Sequence, residues 1–520
     1  MPAASEALPP AHRAELRAAG IKIAIALLVC AGLFALYSHE VKVEQQVADL
    51  LAGQKGAGGR AGGARAELNR DTPGGWLAAE DLLQQALSLQ PSNPWALGAL
   101  ADVEVLLTGG GLLDHSSRAE EALARAEAKD VEQPERFEAH TLQLIQEGRG
   151  GEAEAYVLAL LQNYGAVPRM IDALGHAQRA SGKLPEARAS FKRAQDADWR
   201  SPRFVADFAQ AQLEDGANAE AASSFDRALQ ANSDHLRSRL GKARALVALG
   251  RDGRTGGDLR LARSLVDGAV RQDLAAMLKA QALATRVEVR LAQGDLDGAA
   301  SDATSAEHAA PKLAAVLRAK AMVLAAQKKP EAGAAFKAAA AADPYDASLY
   351  FDGANALAAA GDAAAAEKLL SAFATTLPQT ARYHLALAQT LARKDDLKAA
   401  QDELTRAQKL EPTNATVYFE EGRVAQRQKD TKGAVAAYER AAQLRDDYPE
   451  VYRQMGALYL ENRDVEGAVR VFNEALARYK AARAPTPQLE AFYTDVQSQI
   501  THAGKKKLAI EWAKEARALH

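Results

Sequence analysis

Cysteine is almost missing from this chain of 520 residues: only Cys30 is present, so no disulfide can form within the chain. Long runs of β-branched residues are scarce, which weighs against extended sheet. No excess of one charge exists either. The 64 basic and 67 acidic residues nearly cancel and are interspersed, without the basic stripe or high pI of a nucleic-acid protein. Catalytic signatures are absent too. The histidines are scattered without a His-Glu-x-x-His or His/Cys grouping, and there is no Gly-x-Ser-x-Gly elbow. Single histidines such as His176 and His384 read as helix-face or groove residues. The acidic pairs Asp395-Asp396 and Asp446-Asp447 fall at turns and helix ends, where they can cap helices. The expectation is a protein that is not an enzyme, with no cofactor, no metal and no nucleic-acid partner.

What is abundant is alanine, with leucine and glutamine, all helix formers, so the fold class expected is all-α. Long hydrophobic runs are lacking with one exception, IKIAIALLVCAGLFALY at 21–37. Ile23–Tyr37 makes roughly 22 Å of helix, and Gly20, Ile21 and Ser38 extend it toward a bilayer span. Arg13, Arg17 and Lys22 precede or begin the run and only Lys42 follows nearby, which places the N-terminus in the cytoplasm. The expected layout is a cytoplasmic tail at 1–20 and a transmembrane signal anchor at 21–38. A cleaved signal peptide, lipidation at Cys30 and a buried soluble helix are the alternatives. Residues 39–67 read as a short helix and a tether, because GQKGAGGRAGGAR at 53–65 holds six glycines and no large apolar side chain. A phosphate-binding loop is a poor fit there, since no strand precedes it and no Gly-Lys-Ser/Thr follows.

The strongest signal is a repeat. TKGAVAAYERAAQL at 431–444 returns 34 residues later as VEGAVRVFNEALAR, with Gly433 matching Gly467, Ala434 matching Ala468 and Tyr438 matching Phe472. Pro344, Pro378 and Pro412 recur at the same interval, and five units over about 313–482 keep phase without an insertion. Upstream, Gly182, Ala187, Phe191 and Ala194 match Gly216, Ala221, Phe225 and Ala228. Tyr452, Met455, Gly456 and Tyr459 lie on one face of a first helix, and Ala468, Phe472 and Ala475 on one face of a second. A lone pair of helices cannot bury such a stripe, so the units must stack, with Tyr438 and Phe472 in the core.

The motifs YRQMGALY at 452–459 with AVRVFNEA at 468–475, and ALGHAQ at 173–178 with ARASFKRA at 187–194, resemble the tetratricopeptide repeat family. The resemblance covers roughly 68–482, about twelve units, followed by two closing helices at 483–520. Some units depart from the pattern: His384 and Leu404 replace aromatics, and GRDGRTGGD at 250–258 and TGGGLLDHSS at 108–117 interrupt two others. The resemblance implies a right-handed superhelical solenoid of antiparallel helix pairs that binds protein segments in a concave groove. On that basis Asn355, Arg382, Gln389, Arg423 and Arg453 are candidate groove residues, with solvated helix faces as the alternative. The functional expectation is a membrane-anchored scaffold in a bacterial envelope assembly, single-pass in the inner membrane with the repeats in the periplasm. A self-associating structural spacer, or an accessory subunit of an envelope glycosyl- or peptidoglycan-modifying enzyme, is the alternative.

Overall fold

Asp362, Asp396, Asp430 and Asp464 recur at the repeat interval, and each opens the second helix of its pair. Their carboxylates accept from the backbone N–H groups of Ala365, Ala399, Gly433 and Gly467 at 2.9, 3.1, 3.0 and 2.8 Å. Each cap satisfies a donor the helix cannot use itself and contributes about 1 kcal/mol. A β-carbon at Gly433 or Gly467 would crowd its own capping carboxylate, but Ala365 and Ala399 carry one under the same cap, so a small shift of the Asp side chain accommodates it. The residue before each cap, Gly361, Asp395, Lys429 or Arg463, has a positive φ that turns the chain between helices. Pro168, Pro202 and Pro449 start first helices, where the missing N–H costs nothing.

These signals generate the architecture in the computed structural model, which describes residues 57–109, 115–251, 257–272, 274–445, 448–481 and 486–517. Among the described residues there are twenty-six α-helices and no strand; taken two at a time they make thirteen pairs. Neighbouring helices pack in order along the chain, and the first helices of successive pairs also touch, as in a solenoid. The last pair, Thr486–His502 and Lys506–Arg517, closes the stack as expected. Its Trp512 packs on Phe472, Phe492 and Tyr493.

Within a pair, small residues on the first helix admit a large ring from the second. Phe472 and Tyr438 are fully buried. A β-carbon at Gly422 would lie 2.5 Å from the Tyr438 ring and one at Gly175 would lie 2.6 Å from Phe191. The helices therefore approach as closely as glycine permits. In the pair Ala381–Arg393 and Leu397–Leu410, Leu404 takes the place of the ring and Ala388 that of the glycine, and both lie in one apolar cluster. His384 accounts for the other departure: its Nδ1 meets Glu403 Oε2 at 2.6 Å in the buried space between the two helices.

One expectation needs correction. The glycine-rich tract was expected to be a flexible tether, yet Ala57–Asn69 is a helix packed on Pro73–Leu89, so the solenoid begins before residue 68. Large side chains are not required there. Ala61, Ala64 and Leu68 are buried, and Gly63 lets Leu82 approach the helix backbone. The structure also shows contacts between units far apart in the chain. Asn232 donates to the Arg70 carbonyl at 2.5 Å, Arg179 pairs with Asp343 at 3.4 Å, and Arg382 donates to the carbonyls of Leu213 and Glu214. Partners in these contacts stand 162 to 169 residues apart, close to five units. Among the described residues no helix is long and apolar enough to cross a membrane; the expected anchor at 21–38 lies outside them.

Candidate functional site

The first helices carry a ladder of charge on their inner face. Arg169, Arg203 and Arg237 stand at successive intervals of 34 residues, and Glu138 and Asp172 are likewise 34 apart. Asp102 and Asp207 occupy neighbouring rungs. Arg169 Nη1 bridges Asp102 Oδ2 at 2.8 Å and Glu138 Oε2 at 2.5 Å. Arg203 reaches Glu138 through Nη2, while its Nε lies 3.5 Å from Asp172 Oδ2; Arg237 pairs with Asp207. Each arginine thus ties its own unit to the units before it. The four carboxylates are at most 2% exposed. At the foot of the ladder, His235 Nε2 meets Asp71 Oδ2 at 3.0 Å and joins the first pair to the loop ahead of Leu236–Arg251.

Burial sets the electrostatics. It raises the pKa of Asp102 well above the ordinary value, reinforced by Glu138 and opposed by Arg169. It raises Asp172 as well, with Asp207 adding to the effect. Against burial, His235 brings Asp71 down to about 2, while Arg237 and His176 hold Asp207 well below the usual carboxylate range. His176 stands between Asp172 and Asp207, with its Nε2 3.5 Å from an oxygen of each. Burial disfavours its charged form, but the two carboxylates overcome that and raise its pKa to about 9. Individual histidines and acids gave no reason to group these residues. Their recurrence at the repeat interval was the signal that could have done so.

The five groove residues named from the sequence all fall on first helices. Arg382 caps the carbonyl end of Pro202–Glu214 and lies 4.7 Å over the Phe351 ring, within the crossing between turns. Asn355 is half-buried on Ala347–Ala359. The other three form a second ladder along Ala381–Arg393, Ala415–Arg427 and Pro449–Glu461. Gln389 donates to Glu420 Oε1 at 3.1 Å, Arg423 donates to Glu420 at 3.0 and 3.1 Å, and Arg453 reaches Glu450 and Asp495. The carboxylates of this C-terminal ladder are more open than those of the N-terminal one, which are almost wholly buried.

With this geometry in hand, comparison with known proteins is direct. A family model described as tetratricopeptide repeat matches residues 173–235 and 385–450. Among solved structures, the chain is similar to one in the APC/C hetero-tetramer Cut9-Hcn1 at 15% identity, over 91% of this chain and 96% of that one, with a TM-score of 0.42. Yeast Tom70 is similar at 14% identity, over 74% of this chain and 92% of that one, with a TM-score of 0.42. MamA is similar at 20% identity, over 38% of this chain and 95% of that one, with a TM-score of 0.26. No curated protein sequence matches the chain.

Proposed function

We propose that this chain is a tetratricopeptide repeat protein and a non-enzymatic scaffold in a bacterial envelope assembly, a reading supported by the family model that matches residues 173–235 and 385–450. Residues 21–38 anchor it in the inner membrane with the repeats in the periplasm, and a partner protein binds in the open C-terminal half of its inner face. The observation that supports this reading is the contrast between the two ladders. The N-terminal carboxylate side chains are at most 1% exposed, whereas those of Glu420 and Glu450 are 10% and 18% exposed beside Arg423 and Arg453. A surface of alternating sign at intervals of one unit suits an extended segment or helix of mixed charge. Reversing Arg423 and Arg453 to Glu should abolish recovery of the partner from detergent-solubilised membranes. Undiminished recovery would contradict the binding face. Added protease should digest the repeats in spheroplasts, and their protection would contradict the topology. Light scattering on the purified chain should give a monomer; a closed oligomer would favour the structural-spacer reading instead.

A further inference from the structure

Asp172, His176 and Asp207 meet on the inner face of the helices Pro168–Ala180 and Pro202–Glu214 in an arrangement that hydrogen bonding does not explain. Neither oxygen of Asp172 has a hydrogen-bond partner, nor does Oδ2 of Asp207, although both side chains are buried. Such orphaned acceptors are costly and call for a physical reason. The imidazole Nε2 stands 3.5 Å from Asp172 Oδ2 and 3.5 Å from Asp207 Oδ2, beyond hydrogen-bond length. Both distances match the spacing of neighbouring ligands around a tetrahedral ion, since bonds of about 2.1 Å place donor atoms about 3.4 Å apart, and all three donor atoms lie within 4.8 Å of one another.

Three guanidiniums and the imidazoles of His176 and His235 surround the five carboxylates Asp71, Asp102, Glu138, Asp172 and Asp207, and Arg203 Nε lies 3.5 Å from Asp172 Oδ2 and 4.0 Å from Asp207 Oδ2. An ion here therefore takes the place of the His176 proton between the two carboxylates. The imidazole is 22% exposed, so an ion can enter from its edge. The other acidic-histidine cluster, Glu80, Glu104 and His115, differs in kind, because His115 Nδ1 already bonds Glu104 Oε2 at 2.7 Å and Arg118 pairs with Glu80.

We propose that Asp172, His176 and Asp207 form a binding site for a divalent transition-metal ion of the zinc type, which ties two consecutive repeat units together. Two carboxylates and one imidazole form a ligand set zinc accepts, with water completing the tetrahedron. The site does not depend on the partner-binding reading above.

The test uses the full chain purified in detergent, stripped with a chelator, and dialysed against zinc as the probe. Metal analysis should find one tightly held zinc per chain, which His176→Gln and Asp172→Asn each weaken at least tenfold while His115→Ala retains it. Far-UV circular dichroism checks that every variant keeps its helicity, and His176→Gln preserves the size of a partly exposed residue. Cobalt in place of zinc should give the visible absorption of a tetrahedral site in wild type, and none in His176→Gln. The proposal is overturned if wild type holds no stoichiometric zinc. It is equally overturned if folded His176→Gln binds as wild type does, or if His115→Ala removes the ion instead.

Discussion

The fit of Phe472 against Gly456 allows a test in which one substitution should change sign with its surroundings. Phe472 is fully buried, and a β-carbon at Gly456 would meet its ring at well under 3.0 Å. In wild type, Gly456→Ala should destabilise by ~1–3 kcal/mol through overpacking, although alanine is the better helix former by ~1 kcal/mol. Phe472→Ala alone should cost ~3–5 kcal/mol, the usual range for a large buried ring. Once the ring is gone, the clash is gone too, and Gly456→Ala should then stabilise by ~0.5–1 kcal/mol. Urea unfolding of the four proteins closes the cycle, and a coupling of roughly 2 kcal/mol is expected. Hydrogen exchange should place the loss in residues 415–517 and leave 134–197 protected, because contacts in a solenoid run between neighbours. Additive energies, or a uniform loss of protection, would refute the packing argument.

Other perturbations probe the polar parts of the fold. Arg203→Met leaves Glu138 and Asp172 without their shared cation and should cost ~3–5 kcal/mol in denaturant unfolding; a loss under ~1 kcal/mol would remove the ladder from the account. Glu403→Leu should destabilise by ~1–3 kcal/mol by stranding His384, and adding His384→Phe should recover most of that loss. Asp346 contributes to a pH-dependent term: burial opposes its charge, but Arg318, Arg244 and Arg179 prevail and depress its pKa to about 2. Because the folded value is the lower one, its stabilisation is complete above about pH 4 and is lost as pH falls through 2. On the order of 2 kcal/mol should disappear across that window in wild type beyond what Asp346→Asn loses.

The local structure was legible because it repeats. The 34-residue return of Ala434 and Tyr438 as Ala468 and Phe472, and of Pro378 as Pro412, locates helices, turns and core rings together. The glycine-rich start was misread because its burial is achieved by backbone and alanine, which a search for large apolar residues passes over. The ladder of Arg169, Arg203 and Arg237 was in the sequence at the same interval, but its meaning needs the inner face to be closed. That closure is where sequence reasoning stops. The meeting of Arg70 with Asn232, or of Arg382 with Glu214, depends on a small twist per unit summed over about five units, and no single residue encodes it.

The most direct measurement is therefore a proximity test of that closure. With Cys30→Ser removing the native thiol, Arg70→Cys and Asn232→Cys together place two cysteines at a crossing between distant units. A short bis-maleimide should then join them within one chain in the native protein and fail to do so in urea. If both thiols label freely in the native protein yet never cross-link, the units do not meet, and the self-closing solenoid is wrong.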